Sequence, residues 1–210
     1  MDRNILVIAP HADDEAFGCG GTVAKWVDMG ARAELVVMAV GMGVQDETRL
    51  IECAAASMVL GFKSATHLFP KKEARLDTVP MRKIVTKLDR IIHSDTYDYV
   101  FIPYPSHHKD HKITHEASIA ALRLGAHYPT NVLMYEYTYP DYNISGGKFY
   151  VDISGTIDRK LKAIATYESW VREAPHPASL DAAMTVARMR GLAIQVDCAE
   201  MFHVVQMIGD

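Results

Sequence analysis

Cysteine is scarce in this chain. Cys19, Cys53 and Cys198 are the only three in 210 residues, widely spaced and odd in number, which excludes a disulfide framework and any CxxC metal knuckle. Free thiols suit a reducing compartment. Long apolar runs are also missing. No stretch approaches the roughly 20 residues that span a bilayer, and the opening MDRNILVIAP holds only a short apolar run ended by Pro10, with neither the h-region nor the cleavage site of a secretory signal. Positive charge is not in excess: 22 Lys and Arg stand against 26 Asp and Glu, a net charge of −4, so nothing electrostatic calls for nucleic acid as a partner. The densest basic pairs, Lys71-Lys72 and Arg82-Lys83, read as solvated surface. Internal repeats, low-complexity tracts and linker-like segments are absent too. The expectation is a cytoplasmic protein, without membrane insertion or nucleic-acid partner, folded as a single domain over residues 1–210.

What is present is an ordinary globular balance, 49% hydrophobic and 23% charged, arranged in alternating elements. Asn4–Ala9 is a short β-branched run that reads as a buried strand. Gly20–Met29 has helical spacing and stops at Gly30. Ala33–Val40 is a second strand, a helix runs from Asp46 to Leu60, and a short strand lies at His67–Phe69. Further helices are expected at Met81–His93, Asp110–Leu124, Ile157–Trp170 and Leu180–Gln195, and further strands at Tyr99–Pro103, Val132–Thr138, Phe149–Ile153 and Phe202–Ile208. The segment Tyr139–Gly147 reads as the least structured stretch. Strand–helix alternation predicts an α/β, Rossmann-like fold: a mostly parallel sheet with helices on both faces.

In such sheets, ligands bind outside the carboxyl ends of the strands. Two of those ends carry metal-capable side chains. After the first strand stands Pro10-His11-Ala12-Asp13-Asp14-Glu15; after Tyr99–Pro103 stands Ser106-His107-His108-Lys109-Asp110-His111. The plainer reading of the first group is a polar loop in which Asp13 or Asp14 caps the next helix. Three consecutive acids at the edge of a buried sheet repel one another, however, and a cation is the simplest compensation. A lone histidine is more often a surface or hydrogen-bonded residue than a ligand, but three within five positions beside an aspartate point to a site. Mixed imidazole and carboxylate donors suit zinc, or another divalent first-row metal such as Fe2+, better than magnesium or calcium. Two histidines and one carboxylate leave a coordination position for water, the pattern of a catalytic site. A neighbouring carboxylate can then accept a proton from the attacking water, and a further histidine can stabilise the oxyanion.

PHADDE at Pro10–Glu15 and HKDH at His108–His111 resemble the PHxDDE and HxDH motifs of the LmbE/PIG-L-like deacetylases. Arg49 and Glu52 in an R-x-x-E helix, Arg188-x-Arg190-Gly191, and Ala199-Glu200-Met201-Phe202 also resemble family signatures, so the likeness extends over nearly the whole chain. The resemblance implies zinc-dependent removal of an N-acyl group, usually acetyl, from a small amino-sugar-type molecule or conjugate. It implies His11, Asp14 and His111 as metal ligands, Asp13 as general base, and His108 as the oxyanion-stabilising histidine with Asp110 holding its ring. It further implies that Glu15 supports the loop and that Arg49 reaches the substrate. The chain departs from the pattern at Ala12, where Pro is common, at Lys109, where a small or polar residue or Pro is frequent, and at Trp170, where many members carry Gln.

Two other readings share these residues: a non-catalytic metal- or ligand-binding module on the same fold, and a metal-dependent phosphoesterase, which would want two ions. Gly18-Cys19-Gly20-Gly21 lacks GxGxxG spacing and reads as close packing, not a phosphate cradle. His115 lies one turn from His111, but Lys112 stands where a zincin needs Glu, so His115 reads as a helix-face residue. His107, adjacent to the site, has no motif role. His67, His93, His127, His176 and His203 read as structural or surface residues, His176 in a lid-like loop between two prolines. Aromatics in Tyr135–Tyr142 can stack on a sugar, although alternating aromatics more often pack a sheet. Exposed edge strands leave room for a homo-oligomer.

Overall fold

Successive side chains of a strand point to opposite faces of its sheet, and in the first strand of this protein both faces are buried. The computed structural model describes residues 3–41, 46–123, 128–137 and 146–208. Strands are β1 (Asn4–Ala9), β2 (Arg32–Val40), β3 (Ser64–Pro70), β4 (Tyr99–Pro103), β5 (Asn131–Tyr135), β6 (Lys148–Asp152) and β7 (Ala199–Met207). Helices are α1 (Asp14–Asp28), α2 (Asp46–Leu60), α3 (Met81–Ile92), α4 (Lys109–Ala121), α5 (Ile157–Ala165) and α6 (Leu180–Leu192), with one 3-10 turn at Leu76–Thr78. Ile5, Val7 and Ala9 join a core with Cys53 and Leu60 of α2, Ile164 of α5 and Ala187 of α6. Leu6 and Ile8 join a second core with Ile84 and Leu88 of α3 and Ala117 of α4. The sheet is therefore the middle of three layers, as the alternation predicts. No helix among the described residues is long and apolar enough to cross a membrane.

Strand order is β3-β2-β1-β4-β5-β7-β6. β1 pairs in parallel with both β2 and β4, so the chain leaves β1 in one direction along the sheet and returns to build in the other. That reversal opens a crevice at the carboxyl ends of β1 and β4, which are the two ends that carry the His/Asp clusters. β7 alone runs against its neighbours, paired antiparallel with β5 and β6.

The strands and most helices lie where the periodicity places them; the differences are at ends. α1 begins at Asp14, not Gly20. Glycine is a poor helix former, so Gly18, Gly20 and Gly21 mask the first turns, which Asp14 and Glu15 favour through the helix dipole. The glycines are there for contact: a Cβ on Gly18 would lie 2.1 Å from the Tyr135 ring, and one on Gly21 would lie 2.7 Å from Ile153. This is the close packing expected of that run. α5 ends at Ala165, five residues short of Trp170, because Thr166 turns its hydroxyl back to the Ala163 carbonyl and Tyr167 points inward to Glu15. α6 ends at Leu192, not Gln195, and β7 begins at Ala199, ahead of Phe202. α4 ends at Ala121 and β5 at Tyr135, short of the expected Leu124 and Thr138; those two residues, residues 139–145 of the expected loop and His127 lie outside the described residues.

A buried ion pair ties α1 to the far end of the chain. Glu200 of β7 accepts from the main-chain N–H of Gly21 (3.0 Å) and Thr22 (2.7 Å). It also pairs with Lys160 of α5 at 2.5 Å, and Lys160 donates to the Phe17 carbonyl at 2.6 Å. Both charges are nearly inaccessible, at 3% and 1% exposure. Removing one member strands the other, which costs about 3–5 kcal/mol. Glu200→Ala is accordingly expected to lower unfolding free energy by about that amount in urea titrations, whereas an exposed control such as Glu168→Ala stays within about 0.5 kcal/mol.

Candidate metal centre

Pro10 ends β1, and the four residues after it turn sharply before α1 starts. Asp13 occupies the position before the helix with φ 130 and ψ −29, a left-handed conformation rare outside glycine. Its carbonyl accepts from Ala16 N and Phe17 N, both at 3.0 Å. Its side chain caps nothing, which disposes of the plain capping reading: the carboxylate is turned elsewhere. Arg49 of α2 fixes the turn by donating to the Ala12 carbonyl at 2.6 Å, and Glu15 accepts from Asp13 N at 3.1 Å. Strain of this kind persists where surroundings over-determine it, commonly at functional sites.

Across the crevice, His108 stands just before α4 and accepts from Asp110 N through Nδ1 at 3.2 Å. His111 follows one turn later. The two clusters converge: His11, His108 and His111 each offer a ring nitrogen, all within 4.8 Å of one another. Asp14 joins them, its Oδ1 3.3 Å from His111 Nε2 and its Oδ2 3.4 Å from His11 Nδ1. His11, Asp13, Asp14 and Asp110 are buried, His111 is half-buried, and His108 is exposed.

The sequence-based assignments meet the geometry unevenly. His11, Asp14 and His111 do come together, with His108 as a fourth donor beside them. Asp13 lies next to Arg49, at 3.6 Å. Asp110 departs from expectation. Its carboxylate does not hold the His108 ring but bonds Nε2 of His11 at 2.9 Å and accepts from Leu76 N at 3.1 Å; only its main-chain N–H meets His108. With Nε2 of His11 engaged, Nδ1 is the nitrogen left for a metal. Arg49 is 3% exposed, and its Nη1 has no hydrogen-bond partner among the described residues.

Several participants carry no motif. Tyr137, two residues beyond β5, donates to Asp13 Oδ2 at 2.9 Å. Tyr167 donates to Glu15 Oε1 at 2.5 Å. Glu73, in the loop after β3, accepts from Gly41 N at 2.7 Å and lies 4.0 Å from Arg49. Tyr137 was visible as part of an aromatic run, but its alternation reads as sheet packing; Glu73 sits in a polar loop with no distinguishing signal. His115 bonds the Pro103 carbonyl at 3.0 Å, the helix-face role expected of it. His176 accepts from Ala178 N at 3.0 Å, a turn contact. His203 is buried against Glu136 at 2.9 Å.

Electrostatically the site is short of positive charge. Burial, then the neighbouring Asp14, holds Asp13 well above the usual carboxylate range. Burial raises Glu15 to about 7 against the opposing Tyr167 hydrogen bond. For Asp14 burial is outweighed by His111 and His11, which bring it down to about 2. Burial disfavours a charged His11, yet Asp110 and Asp14 prevail and raise it to about 10. Burial lowers His111, with Asp14 opposing, and lowers His108, with His11 adding to the effect. The donor set of imidazoles and one anionic carboxylate fits a late divalent metal, zinc first among them.

Residues 6–122 match the family described as PIG-L, GlcNAc-PI de-N-acetylase. A Bacillus cereus protein named "Probable N-acetyl-alpha-D-glucosaminyl L-malate deacetylase 2" is 30% identical over 138 residues, 58% of this chain and 62% of that protein. The chain thus spans less than two thirds of that relative's length. The diacetylchitobiose deacetylase of Thermococcus kodakarensis is 29% identical over 193 residues, 80% of this chain and 70% of that protein. Among solved structures, the N,N'-diacetylchitobiose deacetylase of Pyrococcus horikoshii superimposes with a TM-score of 0.80 at 26% identity, covering 97% of this chain and 84% of that one.

Elemental analysis after zinc loading and desalting is expected to give one ion per chain. His11→Ala and His111→Ala each lose it. A chelator should lower the melting temperature of the loaded protein, since ligand at 100 times its Kd stabilises by about 2.7 kcal/mol. Two ions per chain would instead favour a phosphoesterase.

Proposed function

The chain belongs to the PIG-L de-N-acetylase family, and on that premise we propose that it is a zinc-dependent amide hydrolase that removes an N-acetyl group from a small amino-sugar conjugate. The observation that carries this reading is the meeting of two adjacent, differently partnered aspartates with His11, His108 and His111 in the switch-point crevice. His11 through Nδ1, Asp14 and His111 would hold the metal. When bound, that ion polarises the acyl carbonyl and makes water a nucleophile near neutral pH.

The remaining work falls to side chains. Asp13 is buried beside Asp14 and is held above the ordinary carboxylate range by burial and by Asp14, so it is the more basic of the two and the one suited to take a proton from the attacking water. Although solvent reaches His108, partial desolvation and the neighbouring His11 hold it below the ordinary imidazole range. With Nδ1 accepting from Asp110 N, its proton lies on Nε2, a donor for the oxygen that gains charge as the carbonyl is attacked. Water's oxygen bonds to the acyl carbon, one proton passes to Asp13, the C–N bond breaks, and the amine nitrogen leaves with a proton returned to it. Acetate and a free amine are the products. Arg49, whose Nη1 has no hydrogen-bond partner among the described residues, is the candidate contact for a substrate hydroxyl or carboxylate.

The relatives' names support an amino-sugar substrate: one acts on diacetylchitobiose, and another is named for a glucosaminyl malate. The buried free thiols Cys19, Cys53 and Cys198 suit the reducing cytoplasm, where we place the enzyme.

The zinc-loaded protein is expected to release acetate from at least one member of a panel of N-acetylglucosamine conjugates and chitooligosaccharides, measured by coupled acetate assay and by mass loss. Asp13→Asn should lower kcat by about 10²–10⁴-fold, the usual worth of a general base, while retaining one zinc per chain. A variant that loses its zinc along with its activity would sink the division of roles between Asp13 and Asp14.

A further inference from the structure

The reaction scheme gives no task to Asp110, which is fully buried and anchored at both carboxylate oxygens. Oδ2 lies 2.9 Å from Nε2 of His11, and Oδ1 accepts from the main-chain N–H of Leu76 at 3.1 Å. An ionised carboxylate only accepts, so in a neutral His11 ring the proton sits on Nε2. The other ring nitrogen, Nδ1, is 3.4 Å from Asp14 Oδ2, and Nε2 of His111 is 3.3 Å from Asp14 Oδ1. The nitrogen that Asp110 does not hold is the one turned to the donor set.

Asp110 serves two histidines through different groups. Its main-chain N–H donates to Nδ1 of His108 at 3.2 Å, while its side chain reaches His11 on the other loop. A side-chain substitution at 110 therefore keeps the first contact and removes only the second. Leu76 lies in the loop between β3 and α3, and its side chain is fully buried in the core that holds Ile84 and Ala117. The terminal torsion of a carboxylate is soft, and an N–H on so anchored a residue sets its plane. The same loop brings Glu73 to Gly41 N and to Arg49. A carboxylate is a costly group for holding a loop, since burying its charge costs several kcal/mol and a neutral amide oxygen would accept as well. Its one ionic partner among the described residues is His11. Negative charge at that place is useful where a cation sits.

Resting on the reading of His11, Asp14 and His111 as metal ligands, we propose that Asp110 is a positioning residue for His11, locked by the Leu76 main-chain N–H. The carboxylate keeps the His11 proton on Nε2, leaves Nδ1 for the ion, and adds a second negative charge behind that of Asp14. It is neither a ligand nor a contact of the substrate. Partners of this kind on a ligating histidine contribute about tenfold to a hundredfold in metal affinity. The loop after β3 then belongs to the metal centre although it supplies no ligand.

The test uses the full-length protein with zinc as the probe and needs no substrate. Asp110→Asn keeps the shape, but its amide end is a donor, so it can accept from only one of the two N–H groups. The variant is expected to bind zinc about tenfold to a hundredfold more weakly in competition with a chromogenic chelator, while still taking one ion per chain at saturation. Wild-type affinity in Asp110→Asn would overturn the role. Imidazole 15N spectra of the zinc-loaded wild type give a second readout: His11 should show a protonated Nε2 and a metal-shifted Nδ1. The reverse pattern would overturn the proposal whatever the affinities, and this spectrum decides even if Asp110→Asn fails to fold. In the variant the Leu76 amide should exchange faster with solvent, while that of Leu35, inside β2, keeps its protection as the control for folding. An unchanged Leu76 amide would remove the lock. Failure of the functional reading looks different: zinc-loaded protein that released no acetate from any substrate would sink the deacetylase, and the affinity and the His11 spectrum would still decide Asp110.

Discussion

Three carboxylates buried in succession at the end of β1 set the terms for the rest of this molecule. Burying one unpaired charge costs several kcal/mol, and Asp13, Asp14 and Glu15 are 3%, 1% and 0% exposed. They cannot share one solution, so each has its own. Asp14 turns to His11 and His111 and accepts the His11 main-chain N–H at 2.8 Å. Glu15 accepts from Tyr167 and from Asp13 N. Asp13 has a phenol on one oxygen and a guanidinium near the other. The consequence is a graded set of affinities for protons: Asp14 driven down to about 2, Glu15 up to about 7, and Asp13 up as well. Chemically similar groups thereby become suited to the distinct tasks proposed for them, one to bind a cation, one to take a proton, one to hold the turn.

That arrangement demands rigid surroundings, and two buried charge networks supply them. Lys160 and Glu200 are bonded into the backbone of α1 just beyond its first turns. Arg190, Glu136 and His203 brace the end of β5. Both networks bring residues from the last quarter of the chain against its first helix or its site. This gives physical content to the late Arg-x-Arg-Gly and Ala-Glu-x-Phe signatures: Arg190 and Glu200 touch no ligand position, yet the carboxylates beside the crevice depend on elements they fix. Buried pairs of this kind are weak contributors to net stability, and their value here lies in geometry.

Much of this was legible before any coordinates. Runs such as NILVIA and YVFIP are buried on both faces, so they are continuous enough to read as parallel strands, and strand–helix alternation then fixes the layers. The two His/Asp clusters were legible because their density exceeds what surface polarity needs, and strand ends are where such density matters. The start of α1 was not, since glycines kept for contact with Tyr135 and Ile153 lower the local helix signal. Nor was Asp110, for which the family resemblance implies His108 as partner, while its carboxylate reaches His11 on the other loop. Tyr137 and Tyr167 escaped because hydrogen bonds between residues more than a hundred positions apart, Tyr137 to Asp13 and Tyr167 to Glu15, leave no periodicity behind; Glu73 escaped because it sits in a polar loop with no distinguishing signal.

Hardest of all to read was the difference between two neighbouring aspartates. Composition treats Asp13 and Asp14 alike, and resemblance separated them only by analogy. The backbone gives the cause. Asp14 is the first residue of α1 and keeps ordinary helical company with the histidines. Asp13, one residue earlier, sits at φ 130, a conformation an aspartate adopts at a cost of order 1–3 kcal/mol. Without that turn, a loop entering a helix would present successive carboxylates to the same crowded edge, and their repulsion would push both toward the protonated form. The strained residue sends the two side chains to different partners, Asp14 toward His11 and His111, Asp13 toward Tyr137 and Arg49. Arg49 holds the turn at the Ala12 carbonyl, so the same guanidinium that faces the proposed base also maintains the backbone that sets it apart from Asp14.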